Sequence, residues 1–156
     1  MKFEHVATIA APMDRVWSFL MDVPSVAKCA PGVESVEPLG DDRYRGTLKV
    51  SVGPIRLSLQ GDVYIVERDD VAKKASMRAD AADKRAGGAV KAVLSMSLAQ
   101  PPDGGSGTQL RLDTDATVMG RIGEFGQPII KKKAEQMMNE FARNLEQAIS
   151  NGSGGS

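Results

Sequence analysis

Few residues in this chain are of types that do chemistry, and their spacing does not assemble them. His5 is the only histidine and opens a strand-like stretch near the N-terminus. A general base there would have no acid or nucleophile beside it in sequence. Cys29 is the only cysteine, so no internal disulfide can form and no Cys/His spacing fits a zinc site. It reads as a small buried hydrophobe. Asp113 and Asp115 share the outward face of a strand, and Asp80 and Asp83 likewise read as solvated. Gly120-x-x-Gly123-x-x-Gly126 opens a helix after a strand, where a phosphate could dock. It lacks the dinucleotide fingerprint, and no crossover unit follows. Lys131-Lys132-Lys133 is the one charge run. Three successive helix positions cannot all point away from the core, so at least one stem lies along apolar surface. This inventory favours binding over catalysis.

The elements that would position a binding site are easier to read. From Gly120 to Ile149 the apolar residues recur mostly at three or four, the spacing of one helix face. Pro128 predicts a kink or a fresh start. Gln136, Glu140, Asn144 and Glu146 read as part of a solvated back. Before it, Phe3–Ile9 alternates as a strand, and two short helices follow near Val16–Leu20 and Pro24–Cys29. From Val33 the period is two. Tyr44, Gly46, Leu48, Val50 and Val52 share one face; Ile55, Leu57, Leu59, Gly61, Val63 and Ile65 follow after Gly53-Pro54. Ala75, Met77, Ala79 and Ala81 come next, then Val90–Leu98 and Leu110–Val118 on the same parity. Charged residues fill the other face, the mark of a sheet wet on one side. Short turns force an antiparallel meander. The expected architecture is one α+β domain over residues 1–149, a curved antiparallel sheet wrapped around a long C-terminal helix. Residues 150–156 have the Gly/Ser composition of a flexible linker or an artificial addition.

The meander brings Gly53, Pro54, Lys84, Arg85, Gly120 and Arg121 to one end, the expected mouth of any internal cavity. Gly40–Asp42, Asp69–Asp70 and the loop 101–107 share the other end. The inward wall is poor in bulk: Gly46, Gly61, Ala75, Ala79, Ala81, Ala92 and Ala116 all face it. Either the helix approaches closely or a ligand fills the space. The lining then expected is Leu48, Val50, Leu57, Leu59, Met77, Ala79, Leu94, Met96 and Leu112 from the sheet. Phe125, Ile129, Met137, Met138 and Phe141 would line the helix side, with Phe125 and Ile129 as the gate. Lys131–Lys133 with Lys84, Arg85 and Arg121 suit a contact with anionic lipid heads, at about 1 kcal/mol per basic group. Lys plus Arg and Asp plus Glu balance at 20 each, and aromatics are scarce, which argues against nucleic acid. The N-terminus does not read as a signal peptide, and no apolar stretch is long enough to span a bilayer. The expected location is the cytoplasm, peripheral to the inner face of the cell membrane.

Several of these stretches resemble the carbon monoxide dehydrogenase CoxG family. They are Met1-Lys-Phe-Glu-His, Ala11-Pro12-x-x-x-Val16-Trp17-x-Phe19-Leu20 and Ala30-Pro31-Gly32-Val33. Tyr44-x-Gly46-Thr47-x-Lys49-Val50-x-Val52-Gly53-Pro54-Ile55 and the run Asp113–Arg121 ahead of Phe125-Gly126 add to them. The resemblance implies a START-like, helix-grip (SRPBCC) fold that holds apolar ligands between sheet and helix. It also implies a link to aerobic carbon monoxide oxidation and the bacterial membrane, and it carries over no catalytic residue. The function expected is non-catalytic carriage of a respiratory quinone such as menaquinone, or a lipid, between membrane and carbon monoxide dehydrogenase. The alternative is a recruitment or assembly factor that carries no cargo. An enzyme is the third reading, since related folds include cyclases and hydrolases. No covalent cofactor and no metal are expected.

Overall fold

The computed structural model describes residues 1–153. Strand β1 (Lys2–Ile9) leads through helices α1 (Met13–Met21) and α2 (Val23–Ala27) to six further strands. These are β2 (Val33–Gly40), β3 (Arg43–Val52), β4 (Ile55–Asp69), β5 (Lys74–Asp83), β6 (Gly88–Ala99) and β7 (Thr108–Gly120). A 3₁₀ turn (Arg121–Phe125) precedes α3 (Gln127–Ala148), and a π turn (Ile149–Ser153) ends the described chain. That turn continues four residues into the stretch whose composition suggests a tail; 154–156 lie outside the described residues.

The strands form one antiparallel sheet in the order β1-β7-β6-β5-β4-β3-β2. Its register gives the alternation a spatial meaning. Met1 bonds across to Ala116, which pairs with Ala92; Ala92 pairs with Ala79, Ala79 with Val63, and Val63 with Tyr44. This row crosses the middle of the inward face almost without side-chain bulk. The adjacent row runs Val118, Val90, Ala81, Gly61, Gly46 and Val36. Gly46 and Gly61 are small for another reason than space. A Cβ on Gly61 would lie 1.9 Å from the Asp80 carbonyl oxygen, and one on Gly46 would lie 2.7 Å from that of Ser35. They let neighbouring backbones close up where the sheet coils.

The C-terminal helix starts later than its apolar spacing suggests. Gly126 at φ 82° breaks the chain between the 3₁₀ turn and α3, and Pro128 sits in the first turn. Of the two outcomes expected at Pro128, the fresh start is found. α3 comes closest to the sheet at the two sides of the grip, β1 and β3. Two of its back residues are not solvated. Asn144 Nδ2 donates to the Cys29 carbonyl at 3.0 Å, and Glu146 accepts the Ala10 N–H at 2.9 Å, which tie the helix to α2 and to the end of β1. Lys133 is the half-buried member of the lysine run; Lys131 and Lys132 are exposed.

Candidate functional site

The core is in two pieces. One cluster joins α1, the ends of β6 and β7, and the end of α3: Val16, Trp17, Leu20, Met96, Leu98, Leu110, Leu112, Leu145 and Ile149, with Met77, Leu94 and Phe141 packed against it. Trp17 Nε1 donates to Asp70 at 2.9 Å, which fastens α1 over the turn between β4 and β5 and closes that end. The second cluster lies at the opposite end: Val52, Leu57, Leu59, Ile122 and Ile130, with Leu48, Val50, Ala81, Val118 and Phe125 against it. Among the described residues, Ala79, Ala92, Val63, Met137 and Met138 belong to neither cluster and stay half-buried. Ala116, in the same row, is 6% exposed. The bare part of the wall is thus the stretch over β5 and β6, between the lines where α3 meets β1 and β3.

This distributes the expected lining residues unevenly. Leu57, Leu59, Met96 and Leu112 are buried within the clusters. Leu48, Val50, Met77, Leu94, Phe125 and Phe141 sit half-buried at the cluster edges, turned to the gap. Ala79, Met137 and Met138 lie in the gap itself. Ile129 is 48% exposed, on the outside of the helix start, so of the two gate residues only Phe125 faces inward.

The end expected to form the mouth is assembled by close backbone approach. Gly53 (φ 58°) lies under the Phe125 ring, which a Cβ there would meet at 3.2 Å. Arg121 N–H donates to the Gly87 carbonyl at 3.0 Å, and Gly120 (φ 73°) has no room for a Cβ beside that same carbonyl. Asp83 is the residue whose placement differs most from expectation. It is 8% exposed rather than solvated. Its carboxylate accepts the Ser58 N–H at 2.7 Å and those of Arg85 and Ala86 at 2.9 and 3.0 Å. The bond from Ser58, then those from the turn, hold its pKa below the usual carboxylate range. It pins the β5–β6 turn onto β4.

The titratable groups do not form a reactive set. Cys29 is buried, and desolvation pushes its thiol pKa up, away from the thiolate a nucleophile needs. His5 is half-buried on the inward face of β1 opposite Leu112. Asp62 is depressed, first by its hydrogen bond from Arg45, in a surface pair at 2.9 Å. Among the described residues no group of His, Cys, Asp and Glu could hold a metal ion. What the interior offers is an apolar wall with a thinly filled middle.

A curved antiparallel sheet gripping one long C-terminal helix, with two short helices after the first strand, defines the START-like class. The chain superposes on a conserved protein from Geobacillus kaustophilus at TM-score 0.87, with 20% identity over 97% of each chain. A START superfamily protein from Mycobacterium smegmatis matches at TM-score 0.65 and 16% identity, over 96% of this chain and 97% of that one. Zhui aromatase/cyclase from a Streptomyces species matches at 0.64 and 21%, over 96% and 95%. At these identities the likeness is one of fold alone. Within the class the chain belongs to the carbon monoxide dehydrogenase CoxG family, whose profile matches residues 6–150. No protein with a curated description matches it in sequence.

Proposed function

We propose that this protein is a non-catalytic carrier that holds a long apolar molecule between sheet and α3, an isoprenoid quinone such as menaquinone or a lipid. It passes that cargo between a membrane and carbon monoxide dehydrogenase. The observation that carries the reading is the divided core. Two packed clusters cap the ends of the grip, and the half-buried row of Ala79 and Ala92 faces Met137 and Met138 between them. Small side chains on one wall and flexible thioethers on the other suit a chain of repeating apolar units better than a rigid, polar ligand. Carbon monoxide dehydrogenase enters as partner through the family description.

The membrane contact belongs to the start of α3. There Ile129 is exposed beside exposed Arg121, Lys131 and Lys132, an apolar tip with basic flanks. No helix among the described residues is long and apolar enough to cross a bilayer, so this contact is peripheral. Native mass spectrometry after incubation with menaquinone-containing vesicles tests the carrier. A retained quinone or lipid, lost on extraction with organic solvent, is the expected result. A protein that retains neither refutes it.

A further inference from the structure

A second concavity lies on the outside of the sheet, away from α3. It is a groove of about 1220 Å³ across β3, β4, β5 and the β5–β6 turn. Its lining is charged, and most of the charge is already spoken for. Asp62 is held by Arg45 at 2.9 Å and Arg43 at 3.3 Å, and Lys49 pairs with Glu34 at 3.1 Å. The Asp83 carboxylate is occupied by three backbone N–H groups. This leaves exposed Arg56, Lys84 and Arg85, which among the described residues have no carboxylate within ion-pair distance. They lie together because Asp83 bonds Ser58, two residues from Arg56, and also the turn that carries Lys84 and Arg85.

We propose that this end of the groove is a docking site for an acidic segment of a protein partner. Three cations held side by side without counter-charges complement a run of carboxylates. The turn beneath two of them is fixed in advance, so less ordering is needed on binding. The groove is concave, which a protruding chain can enter and a flat lipid surface cannot. The basic residues at the start of α3 form the separate, convex set. The proposal does not depend on what fills the space under the helix.

The test is an NMR titration of the full chain with a short synthetic peptide of alternating Asp and Glu. Amide shifts are expected at Arg56, Lys84, Arg85 and Ala86. The triple variant Arg56→Glu/Lys84→Glu/Arg85→Glu is expected to bind at least about ten-fold more weakly, the sum of three exposed ion pairs. Lys131→Glu/Lys132→Glu is expected to stay within about two-fold of the parent. Amide spectra of both variants check that they fold. Vesicles containing roughly 30% phosphatidylglycerol form the second arm. There the α3 variant is expected to lose binding and the groove variant to keep it. Unchanged peptide affinity in the groove variant overturns the proposal. So does a groove variant that loses vesicle binding while the parent shows no peptide shifts, which assigns the cations to lipid.

Discussion

Filling the bare stretch of the inward wall separates an open space from a closed one. Ala79 and Ala116 lie in one row across the sheet, two strands apart, yet Ala79 is half-buried and Ala116 is 6% exposed. Substituting each with Phe adds the same side chain to two different surroundings. At Ala116 the new ring has to displace packed neighbours, and overpacking costs about 1–3 kcal/mol. For a domain of this size that lowers Tm by roughly 2–12 °C. At Ala79 the ring enters the gap, where burying it contributes up to about 1.5–3 kcal/mol, so Tm is expected to hold or rise. Cargo responds in the opposite sense. A ring over β5 displaces about one five-carbon isoprenoid unit, at about 0.8 kcal/mol per buried carbon. Because that stretch is only half-covered, about half of the resulting 4 kcal/mol is counted, which weakens binding about thirty-fold. Differential scanning fluorimetry reads the first quantity, and titration with a short-chain menaquinone followed by native mass spectrometry reads the second. The same pair of variants separates carrier from adaptor, because a cargo-free recruitment factor with Ala79→Phe still captures carbon monoxide dehydrogenase. If Ala79→Phe loses stability as Ala116→Phe does and leaves quinone binding unchanged, the helix already fills that stretch and the reasoning fails.

Three further outcomes follow from the packing. Gly120→Ala is expected to lower Tm by at least about 4 °C, since a left-handed Ala costs about 1–2 kcal/mol and the Gly87 carbonyl leaves its Cβ no room. Asp83→Asn is expected to speed amide exchange at Arg85 and Ala86. The depressed pKa of Asp83 means that its stabilisation is complete above the unfolded carboxylate value of about 3.9 and is lost as pH falls through the folded one. The urea midpoints of parent and variant therefore differ at pH 7 and converge in acid; a gap that widens on acidification contradicts the clamp. Trp17→Phe removes the donor to Asp70 and is expected to cost about 1–2 kcal/mol by urea denaturation, with quinone binding little changed because Trp17 lies in the capping cluster.

The wall was readable from sequence and the space in front of it was not. Strict alternation from Tyr44 to Val118 assigns each residue to a face, and short turns such as Gly40–Asp42, with Asp41 and Asp42 at positive φ, lock the register of successive strands. The α3 start is misread because the spacing of Ile122, Phe125 and Ile129 continues the helical period through a 3₁₀ turn. Only the backbone break at Gly126 separates the two. Asp83 has the parity of Ala75, Met77, Ala79 and Ala81, so a signal for its inward placement was present; its charge alone pointed to solvent. Asn144 carries no such signal, because its bond joins residues 115 positions apart. Whether the alanine row is covered depends on how α3 lies over the sheet, a tertiary property that a residue pattern does not contain. The same holds for the outer groove, whose cations are brought together by Asp83.

Density between Ala79 and Ala92 on one side and Met137 and Met138 on the other is the most direct test of the carrier, in a crystal structure determined with menaquinone. A continuous prenyl chain crossing that stretch, with Phe125 displaced from Gly53 or closed over the tail, is the expected result. Side chains of α3 in van der Waals contact with Ala79 and Ala92 throughout, and quinone absent or bound only on the outer surface, contradict it.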